Sequence, residues 1–263
     1  MNLPAGIAET QPYVSQLLAL AGQTARQLTR APTAPYRTQA VQRLGWQSLW
    51  LIGGGSALVV ILMFTFDAAE IAMMPPRKSP GLWPFAILTD FGKDDYVLAA
   101  LALAAIIMAI AFPLLRGPAR GRLLRLGVQV EYLFLAVLVP VIATEVIKRV
   151  AGRGRPFVGG KADPFNFMPF HGAEPYFSFV SAHSVTAFAL AFGVSAIWPR
   201  WRIPIFIYAL AIGGSRLVLL AHHPSDVVGG AVIGLLGALC LRTWFATRQL
   251  CFSIEENGKI VPR

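Results

Sequence analysis

The chain has 263 residues, of which 56% are hydrophobic and only 14% are charged. Soluble globular domains carry about 25% charged residues, so this composition argues against a soluble enzyme, and the abundant apolar residues argue against intrinsic disorder. The net charge of +10, from 23 basic and 13 acidic side chains, suits cytoplasmic loops and anionic lipid rather than nucleic acid. The two cysteines provide neither a disulfide framework nor a zinc-binding spacing.

The first 47 residues are mixed in polarity and lack a charged segment followed by an apolar run, so no cleavable signal peptide is predicted. Leucines between Val14 and Leu28 are interspersed with polar residues, which predicts a weakly amphipathic helix on the membrane surface. A partly ordered tail is the alternative. We expect residues 1–47 to form a cytoplasmic N-terminal segment, followed by a first span that acts as an uncleaved insertion signal.

Six later segments are apolar enough to cross about 30 Å of hydrocarbon as α-helices. They are residues 48–66, 96–115, 126–147, 183–198, 203–220 and 226–241. The sequence therefore predicts an all-α, polytopic membrane protein of about six transmembrane helices. We expect the membrane domain to cover residues 48–242 and residues 243–263 to form a cytoplasmic C-terminal tail.

The distribution of arginines predicts the orientation of these spans, because cytoplasmic loops are enriched in Lys and Arg. With a cytoplasmic N-terminus, one side of the membrane receives Arg26, Arg30, Arg37, Arg43, Arg116, Arg120, Arg122, Arg125, Arg200, Arg202, Arg242 and Arg248. The acid-rich connection between Phe66 and Tyr96 then falls outside. The loop from Lys148 to Ala182 also falls outside, although it is basic. This exception to the rule indicates that the loop binds an anion.

Three clusters of polar residues fall at the outer end of the predicted bundle. The first contains Lys148, Arg149, Arg153 and Arg155, four cations within eight positions that include two glycines. Such a segment can fold around a tetrahedral oxyanion, because Arg offers a planar pair of donors and Lys a point charge. The alternative is a basic border whose side chains extend to the membrane surface.

The second cluster, Ser181-Ala182-His183, opens the fourth predicted span. Ser181 is a predicted N-cap, and the free N–H groups of a first helical turn bind anions. A histidine at this place can give a proton to a bound group or take one from it. A capped helix with an interfacial, non-catalytic histidine is the alternative.

The third cluster contains Arg216, His222 and Asp226. Arg216 falls inside an apolar run, where an ionisable side chain must be near the interface or paired. His222 and Asp226 are four residues apart, and Pro224 predicts that His222 lies just before the first turn of the sixth span. A carboxylate bonded to one imidazole nitrogen fixes the tautomer and leaves the other nitrogen as a nucleophile.

A metal bound by His183, His222 and Asp226 is a competing explanation for the histidines. Cations oppose a divalent metal ion and complement a phosphate instead, and the sequence places several beside these side chains. They are Lys148, Arg155 and Arg216. We therefore expect no metal and no other cofactor.

The spacing of the three clusters resembles a known family. Lys148-x6-Arg155-Pro156, Ser181-x-His183 and Ser215-Arg216-x5-His222-x3-Asp226 together are similar to the three-part motif of the type 2 phosphatidic acid phosphatase family. Its superfamily also contains vanadium haloperoxidases. The second motif departs from the family pattern, with Val180 in place of the usual proline and Ala182 in place of glycine. Residues 89–93, TDFGK, also resemble a segment of bacterial members.

The resemblance implies a helical-bundle core and a role for each matching residue. His222 is expected to attack phosphorus and form a phosphohistidine, with Asp226 orienting it. His183 is expected to protonate the leaving alkoxide and later to activate water. The phosphoryl oxygens are expected to be held by Lys148, Arg155, Arg216, Ser181 and backbone N–H groups near Ala182 and His183.

These expectations describe a metal-independent phosphatase that acts on a lipid phosphate monoester or diphosphate at the outer, periplasmic face of the inner membrane. Candidate substrates are phosphatidic acid, phosphatidylglycerophosphate, polyprenyl diphosphate and the phosphates of lipid A. One alternative is a lipid phosphotransferase that uses the same phosphohistidine. A non-catalytic transporter or anion-binding membrane protein is the other. The expected partners are a lipid substrate and the bilayer, with no nucleic acid, and the sequence does not define the oligomeric state.

Overall fold

A computed structural model of the chain describes residues 10–159 and 163–263. Nearly all regular structure in these residues is α-helical, with one short antiparallel hairpin near the C-terminus, which confirms the predicted all-α class. The helices are α1 (Tyr13–Thr29), α2 (Arg37–Thr65), α3 (Asp67–Met73), α4 (Trp83–Asp90), α5 (Asp94–Ala111), α6 (Gly117–Ala151), α7 (Ala182–Ile197), α8 (Arg202–Val218) and α9 (Pro224–Thr247). The hairpin strands are β1 (Phe252–Ile254) and β2 (Ile260–Pro262).

The apolar helices confirm a polytopic membrane protein, with six as an approximate count of spans. Within the described residues, five segments have the length and hydropathy to cross a bilayer, namely Arg37–Thr65, Pro80–Leu114, Gly117–Ala151, Pro199–Val218 and Pro224–Thr247. Helix α7, the fourth predicted span, has only 16 residues. At 1.5 Å per residue it extends about 24 Å, less than the hydrocarbon thickness. It packs against α6, α8 and α9.

Three predicted spans are parts of longer helices. The segment 126–147 lies within α6. The segment 48–66 lies in the second half of α2, which already begins at Arg37. The segment 226–241 lies within α9, which continues to Thr247. Helix α1 covers the amphipathic helix predicted over residues 14–28, so this part of the N-terminal segment is ordered.

Helices α7 and α9 pack closely because small residues line their contact. A side chain at Gly230 or Gly234 of α9 would collide with the carbonyl oxygens of Ser181 and Val185. This approach places the start of α7 against the first turn of α9, where the Ser181 N–H donates to the Asp226 carbonyl oxygen at 3.1 Å. The second and third sequence clusters therefore meet at one end of the bundle.

Helix α6 brings the first cluster to the same end and stops there. Its C-cap, Gly152, has a φ of 56° and faces the Met168 carbonyl group so closely that a side chain would collide with it. The Met168 N–H donates to the Gly152 carbonyl oxygen at 2.7 Å, so the chain turns sharply after α6. This turn sends Arg153 into the protein interior.

The N-terminal and C-terminal segments meet at the other end of the bundle. The N–H groups of Thr33 and Ala34 both donate to the Thr247 carbonyl oxygen at 3.1 Å. In the hairpin, the ring of Phe252 packs edge-on against Tyr132 of α6 at a centroid distance of 4.9 Å. Because the 24 residues of α9 separate Thr247 from the third cluster, both terminal segments lie far from the candidate site.

Candidate active site

His222 lies in the turn between α8 and α9, one residue before the N-cap His223, as the proline at 224 predicts. Its ring is buried, and Nδ1 lies 2.8 Å from the carbonyl oxygen of Ser178. A carbonyl oxygen can only accept, so Nδ1 carries the proton in this hydrogen bond and Nε2 keeps a lone pair. The structure therefore holds His222 in the tautomer that a histidine nucleophile requires.

The surroundings of His222 also favour its neutral form. Burial, followed by the positive charge of Arg216, holds the pKa of His222 well below its usual range. The charge of Arg155 lowers this pKa further, whereas the carboxylate of Asp226 opposes the shift. An imidazole without a second proton has a nitrogen free to attack an electrophile, so a neutral His222 suits the predicted role.

The predicted direct bond between Asp226 and His222 is wrong. The Asp226 Oδ2 atom lies 3.9 Å from His222 Nδ1, beyond hydrogen-bonding distance. It accepts instead from the Ser178 hydroxyl at 2.6 Å and from the His223 backbone N–H at 2.9 Å, and it lies 3.1 Å from His223 Nδ1. Asp226 is the third residue of α9, so its carboxylate turns back to cap the helix.

Ser178 joins Asp226 to His222 in place of the direct bond. Its hydroxyl donates to the carboxylate of Asp226, while its carbonyl oxygen accepts from His222. The Ser178 N–H in turn donates to the Arg153 carbonyl oxygen at 3.0 Å. Ser178 lies three residues before Ser181 of the second cluster, but neither spacing nor residue type indicated this function.

Arg153 belongs to a buried polar network, which corrects the prediction that four clustered cations surround an oxyanion. Its side chain is 0% exposed. The Nη1 atom donates to Asp226 Oδ1 at 2.6 Å and to the Ser225 hydroxyl at 2.7 Å, and Nη2 donates to Asp67 Oδ2 at 2.8 Å. The charge of Arg153 is thus matched by two carboxylates, and its donors are turned away from a substrate.

Two acids of the outer connection are also buried rather than facing solvent. Asp67 on α3 accepts from the Ser225 backbone N–H at 3.0 Å as well as from Arg153. Glu70, one turn later, is only 1% exposed, and neither of its carboxyl oxygens has a hydrogen-bond partner among the described residues. Burial, with added repulsion from Asp67 and Asp226, raises the pKa of Glu70 to about 8. Glu70 is therefore mostly protonated at neutral pH.

Four other cations, which do not include Arg149, act on His183 in the first turn of α7. The positive charges that act on its imidazole come from Arg216, Lys148, Lys93 and Arg155, in decreasing order. Within the described part of the chain, three buried N–H or ring nitrogen atoms here have no protein partner, namely His183 Nε2, Arg155 Nε and Arg216 Nε. Unpaired donors with excess positive charge suit an anion, and we call the group formed by Lys148, Arg155, His183 and Arg216 the cationic chamber.

Each arginine or lysine of this chamber has one anchoring contact. Arg216 Nη1 donates to the Thr89 hydroxyl at 2.8 Å, and Lys148 Nζ pairs with Glu145 at 2.9 Å. Arg155 Nη2 pairs with Glu174 at 2.9 Å, but the Glu174 side chain is 77% exposed. Such partners position the cations without neutralising them fully, because an exposed ion pair is weak.

The start of α7 completes the chamber. Ser181 is the N-cap, as predicted, and its hydroxyl accepts from the Ser184 N–H at 3.5 Å. Helix α7 begins at Ala182, which places the backbone N–H groups of Ala182 and His183 in the first turn, where helices bind anions. All eight sequence-predicted site residues are thus near this end of the bundle, with Asp226 in the buried network rather than at His222.

Sequence reasoning missed Lys93 as a contributor to the chamber. It follows α4 in the segment 89–93, the one that resembles bacterial members of the family. That resemblance was the available signal, and the same segment also supplies Thr89 as the partner of Arg216. Across residues 10–159 and 163–263, no group of three His, Cys, Asp or Glu side chains is arranged to hold a metal ion.

These features define a polytopic membrane protein that can bind an oxyanion beside an oriented histidine. Residues 129–250 match the PAP2 superfamily. The chain is 30% identical over 217 residues to the lipid A 1-phosphatase of Rhizobium etli, covering 82% of this chain and 91% of that protein. Identity to the lipid A 1-phosphatase of Rhizobium johnstonii is 28% over 217 residues, with 82% and 87% covered. Phosphatidylglycerophosphatase B of Escherichia coli is 34% identical over 98 residues, 34% of this chain and 38% of that one.

The chain belongs to the PAP2 superfamily and is a membrane phosphatase of that superfamily. The matched region runs from the middle of α6 through α9 and contains all three polar clusters. The family resemblance drawn from the motifs is therefore confirmed.

Proposed function

We propose that the protein hydrolyses a lipid phosphate through a phosphohistidine on His222. The observation that carries this proposal is the 2.8 Å hydrogen bond from His222 Nδ1 to the Ser178 carbonyl oxygen. This bond leaves Nε2 unprotonated, and Arg216, Arg155 and His183 are close enough for their charges to act on the ring. A nucleophile and its anion-binding groups are thus assembled in one buried place.

In the first half of the reaction, the cations of the chamber and the N–H groups of Ala182 and His183 hold the phosphoryl oxygens. The bound phosphate anion favours the protonated form of His183. His222 Nε2 attacks phosphorus, the bond from phosphorus to the lipid oxygen breaks, and the protonated His183 gives one proton to that oxygen. In the second half, water attacks the phosphohistidine, His183 takes a proton from the water, and the N–P bond breaks. Inorganic phosphate and the resting enzyme are the products.

The mechanism we propose is metal-independent, because fixed positive charges stabilise the transferring phosphoryl group. Lys148, Arg155 and Arg216 supply this charge together with the N-terminus of α7. Lys93 adds to the same field, since its charge acts on His183.

The 1-phosphate of lipid A is the substrate that we favour. The relatives whose similarity extends over 82% of this chain are lipid A 1-phosphatases, whereas the phosphatidylglycerophosphatase aligns over 34%. The described part of the loop between α6 and α7 also exposes large apolar side chains beside the chamber, namely Phe157, Phe165, Phe167, Met168 and Phe170. Aromatic side chains at this level suit the membrane interface, where a lipid phosphate would enter.

We further propose that the chamber faces the periplasm from the inner membrane, with both termini in the cytoplasm. The arginines that follow the positive-inside rule lie on loops and helix ends at the end of the bundle that holds Thr247. The chamber lies at the other end. A single cysteine introduced at Phe170, which is 74% exposed, should then react with a membrane-impermeant maleimide added to intact spheroplasts.

The test of the reaction is phosphate release by detergent-purified protein in excess EDTA. Substrates are lipid A 1-phosphate, phosphatidic acid, phosphatidylglycerophosphate and undecaprenyl diphosphate, each offered alone. His222→Ala should abolish release, because it removes the nucleophile, while His171→Ala is the matched control in the exposed loop. Rapid acid-free quenching with ³²P-labelled substrate should trap a base-stable, acid-labile phosphoenzyme in the wild type alone.

Release that requires added metal, or that survives in His222→Ala, would contradict the mechanism. Loss of phosphate from the donor with its appearance on a lipid acceptor would identify the phosphotransferase alternative. Phosphate release from another lipid, and not from lipid A 1-phosphate, would agree with the proposed mechanism but contradict the proposed substrate.

A further inference from the structure

A large cavity lies between α1, α5 and α6, far from the cationic chamber. Its volume is about 1030 Å³, at the upper end of small-molecule sites in proteins. The lining residues of α6 run from Pro118 to Phe134, which is about 24 Å of helix. An elongated cavity of this length has the dimensions of a lipid within one leaflet of a bilayer.

The walls of this cavity are predominantly apolar. Leu17 and Leu20 of α1 face Ala105 and Ala109 of α5 across it, and α6 contributes Val128 among others. Because these helices are embedded in or lie on the membrane, such walls suit acyl chains rather than a water-soluble metabolite.

One end of the cavity is basic. Arg122 and Arg125 line it, and their spacing of three residues places them on one face of α6. Both are exposed, and within the described residues neither forms an ion pair or hydrogen bond. The acid that also lines the cavity, Glu131, is six residues beyond Arg125, about 9 Å further along the helix. The basic and acidic parts of the wall are therefore separate.

Helix α1 closes the cavity on one side and adds polar groups. The Tyr13 hydroxyl donates to the Ile110 carbonyl oxygen at 2.9 Å, which ties the start of α1 to the end of α5. Gln23 lines the cavity, and its Oε1 atom is buried without a partner among the described residues. A glycerol hydroxyl group is a donor that such an oxygen can accept from.

We infer that this cavity binds one anionic phospholipid from the leaflet opposite the catalytic chamber. The phosphodiester lies between Arg122 and Arg125, and an acyl chain extends along α6 between α1 and α5. Charge complementarity selects the occupant, since two unpaired guanidinium groups favour an anionic headgroup over a zwitterionic one. Arg125 and Lys148 are 23 residues apart on α6, about 35 Å, so the bound lipid is distinct from a substrate in the chamber.

The test is native mass spectrometry of the full-length protein in detergent, titrated with phosphatidylglycerol and, separately, with phosphatidylcholine of the same acyl chains. Phosphatidylglycerol is a phosphodiester, so the proposed monoesterase activity leaves it intact. The wild type should bind one phosphatidylglycerol at least about tenfold more tightly than phosphatidylcholine. Two arginines near an anionic headgroup are expected to raise the affinity by about one order of magnitude.

Two variants distinguish the contribution of the two arginine charges to lipid binding from that of the apolar space in the cavity. Arg122→Gln/Arg125→Gln should reduce the preference for phosphatidylglycerol to less than about twofold, because it removes the anion-binding groups. Ala109→Phe should weaken the binding of both lipids, because the introduced phenylalanine ring fills the space between α1 and α5. The matched control is Arg200→Gln/Arg202→Gln, which removes two exposed arginines at the same end of the bundle but outside the cavity.

Unfolding temperature without added lipid shows whether each variant is folded. Equal affinity for the two lipids in the wild type would overturn the proposal. So would an unchanged preference in folded Arg122→Gln/Arg125→Gln, or an equal loss in the Arg200→Gln/Arg202→Gln control. Because the measurement is of binding, its outcome does not depend on the proposed catalytic reaction.

Discussion

Two polar regions adjoin His222, and they differ in how far their positive charges are balanced by carboxylates. On one side, the buried network matches the guanidinium of Arg153 to the carboxylates of Asp67 and Asp226. On the other, the cationic chamber gathers positive charges around His183 with fewer acids to oppose them. The comparison separates charges that hold the protein together from charges that are available to a substrate.

Arg153 and Arg155 show this difference within one short segment. They are two residues apart, and only the family motif, which contains Arg155 and not Arg153, distinguishes their functions in the sequence. Arg153 is fully buried with two carboxylate partners, whereas the one ion pair of Arg155 among the described residues is with the exposed carboxylate of Glu174. Gly152 ends α6 and sends Arg153 inward, so the backbone path decides which arginine belongs to which region.

The largest effect on folding is expected from Arg153→Ala. This change leaves the buried carboxylates of Asp67 and Asp226 without a counter-ion, which costs about 3–5 kcal/mol of unfolding free energy. We expect little folded protein and a much lower Tm in detergent. Arg153→Lys should recover only part of the loss, because a lysine cannot bond both carboxylates as a planar fork does. If Arg153→Ala unfolded at the same Tm as the wild type, the buried network would not stabilise the fold, and the distinction between the two regions would be wrong.

Arg155→Ala should have the opposite pattern. Its Tm should stay close to that of the wild type, because the pair with Glu174 is exposed and weak. Its kcat/KM for phosphate release should fall by about 10²- to 10³-fold, as expected when one donor to the transferring group is removed. Arg149→Ala, on an exposed neighbour, is the control and should retain activity. A variant of Arg155 that loses stability rather than activity would assign it to the buried network.

Glu70→Gln is expected to change how stability depends on pH. The pKa of Glu70 is about 8 in the folded protein and 4.5 in its ordinary environment, so the folded state keeps a proton that the unfolded chain releases. The contribution of this group to stability is therefore complete below pH 4.5 and is lost as pH rises through 8. Gln cannot ionise, so the fall in Tm between pH 5 and pH 8 should shrink by about half in the variant. An unchanged fall would show that Glu70 does not titrate in this range.

Lys93→Gln should produce the smallest effect. Lys93 is partly exposed and pairs with Asp90 at 2.8 Å, so it acts on His183 from the edge of the chamber. We expect kcat/KM to fall by about two- to tenfold with no change in Tm, because a charge screened by solvent and paired with Asp90 acts only weakly on the site. Lys78→Gln serves as a control on another exposed lysine. A loss as large as that of Arg155→Ala would place Lys93 among the groups that contact the substrate.

Much of the fold could be predicted from the sequence because it depends on local properties. Hydropathy located six apolar helices of the bundle, α2 and α5 to α9, but it missed the apolar helix α4 and how far α2 extends before residue 48. Local chemistry also identified the cap at Ser181 and the turn that precedes Pro224. These features depend on residues within one or two helical turns, so spacing and side-chain type are sufficient.

The sequence alone determined the superfamily, the membrane-spanning class and the residues that gather at one end of the bundle. Only the tertiary structure decided which partner each charged group takes. Asp67 reaches Arg153 across 86 positions in the chain, and His222 donates a hydrogen bond to a carbonyl oxygen 44 positions away. Such choices depend on the close packing of α7 against α9 and on the turn at Gly152, because an ion or a hydrogen-bond donor pairs with the nearest suitable atom in space. The spacing along the chain predicted a hydrogen bond between Asp226 and His222. In the first turn of α9, however, the Asp226 carboxylate contacts His223 and Arg153 instead.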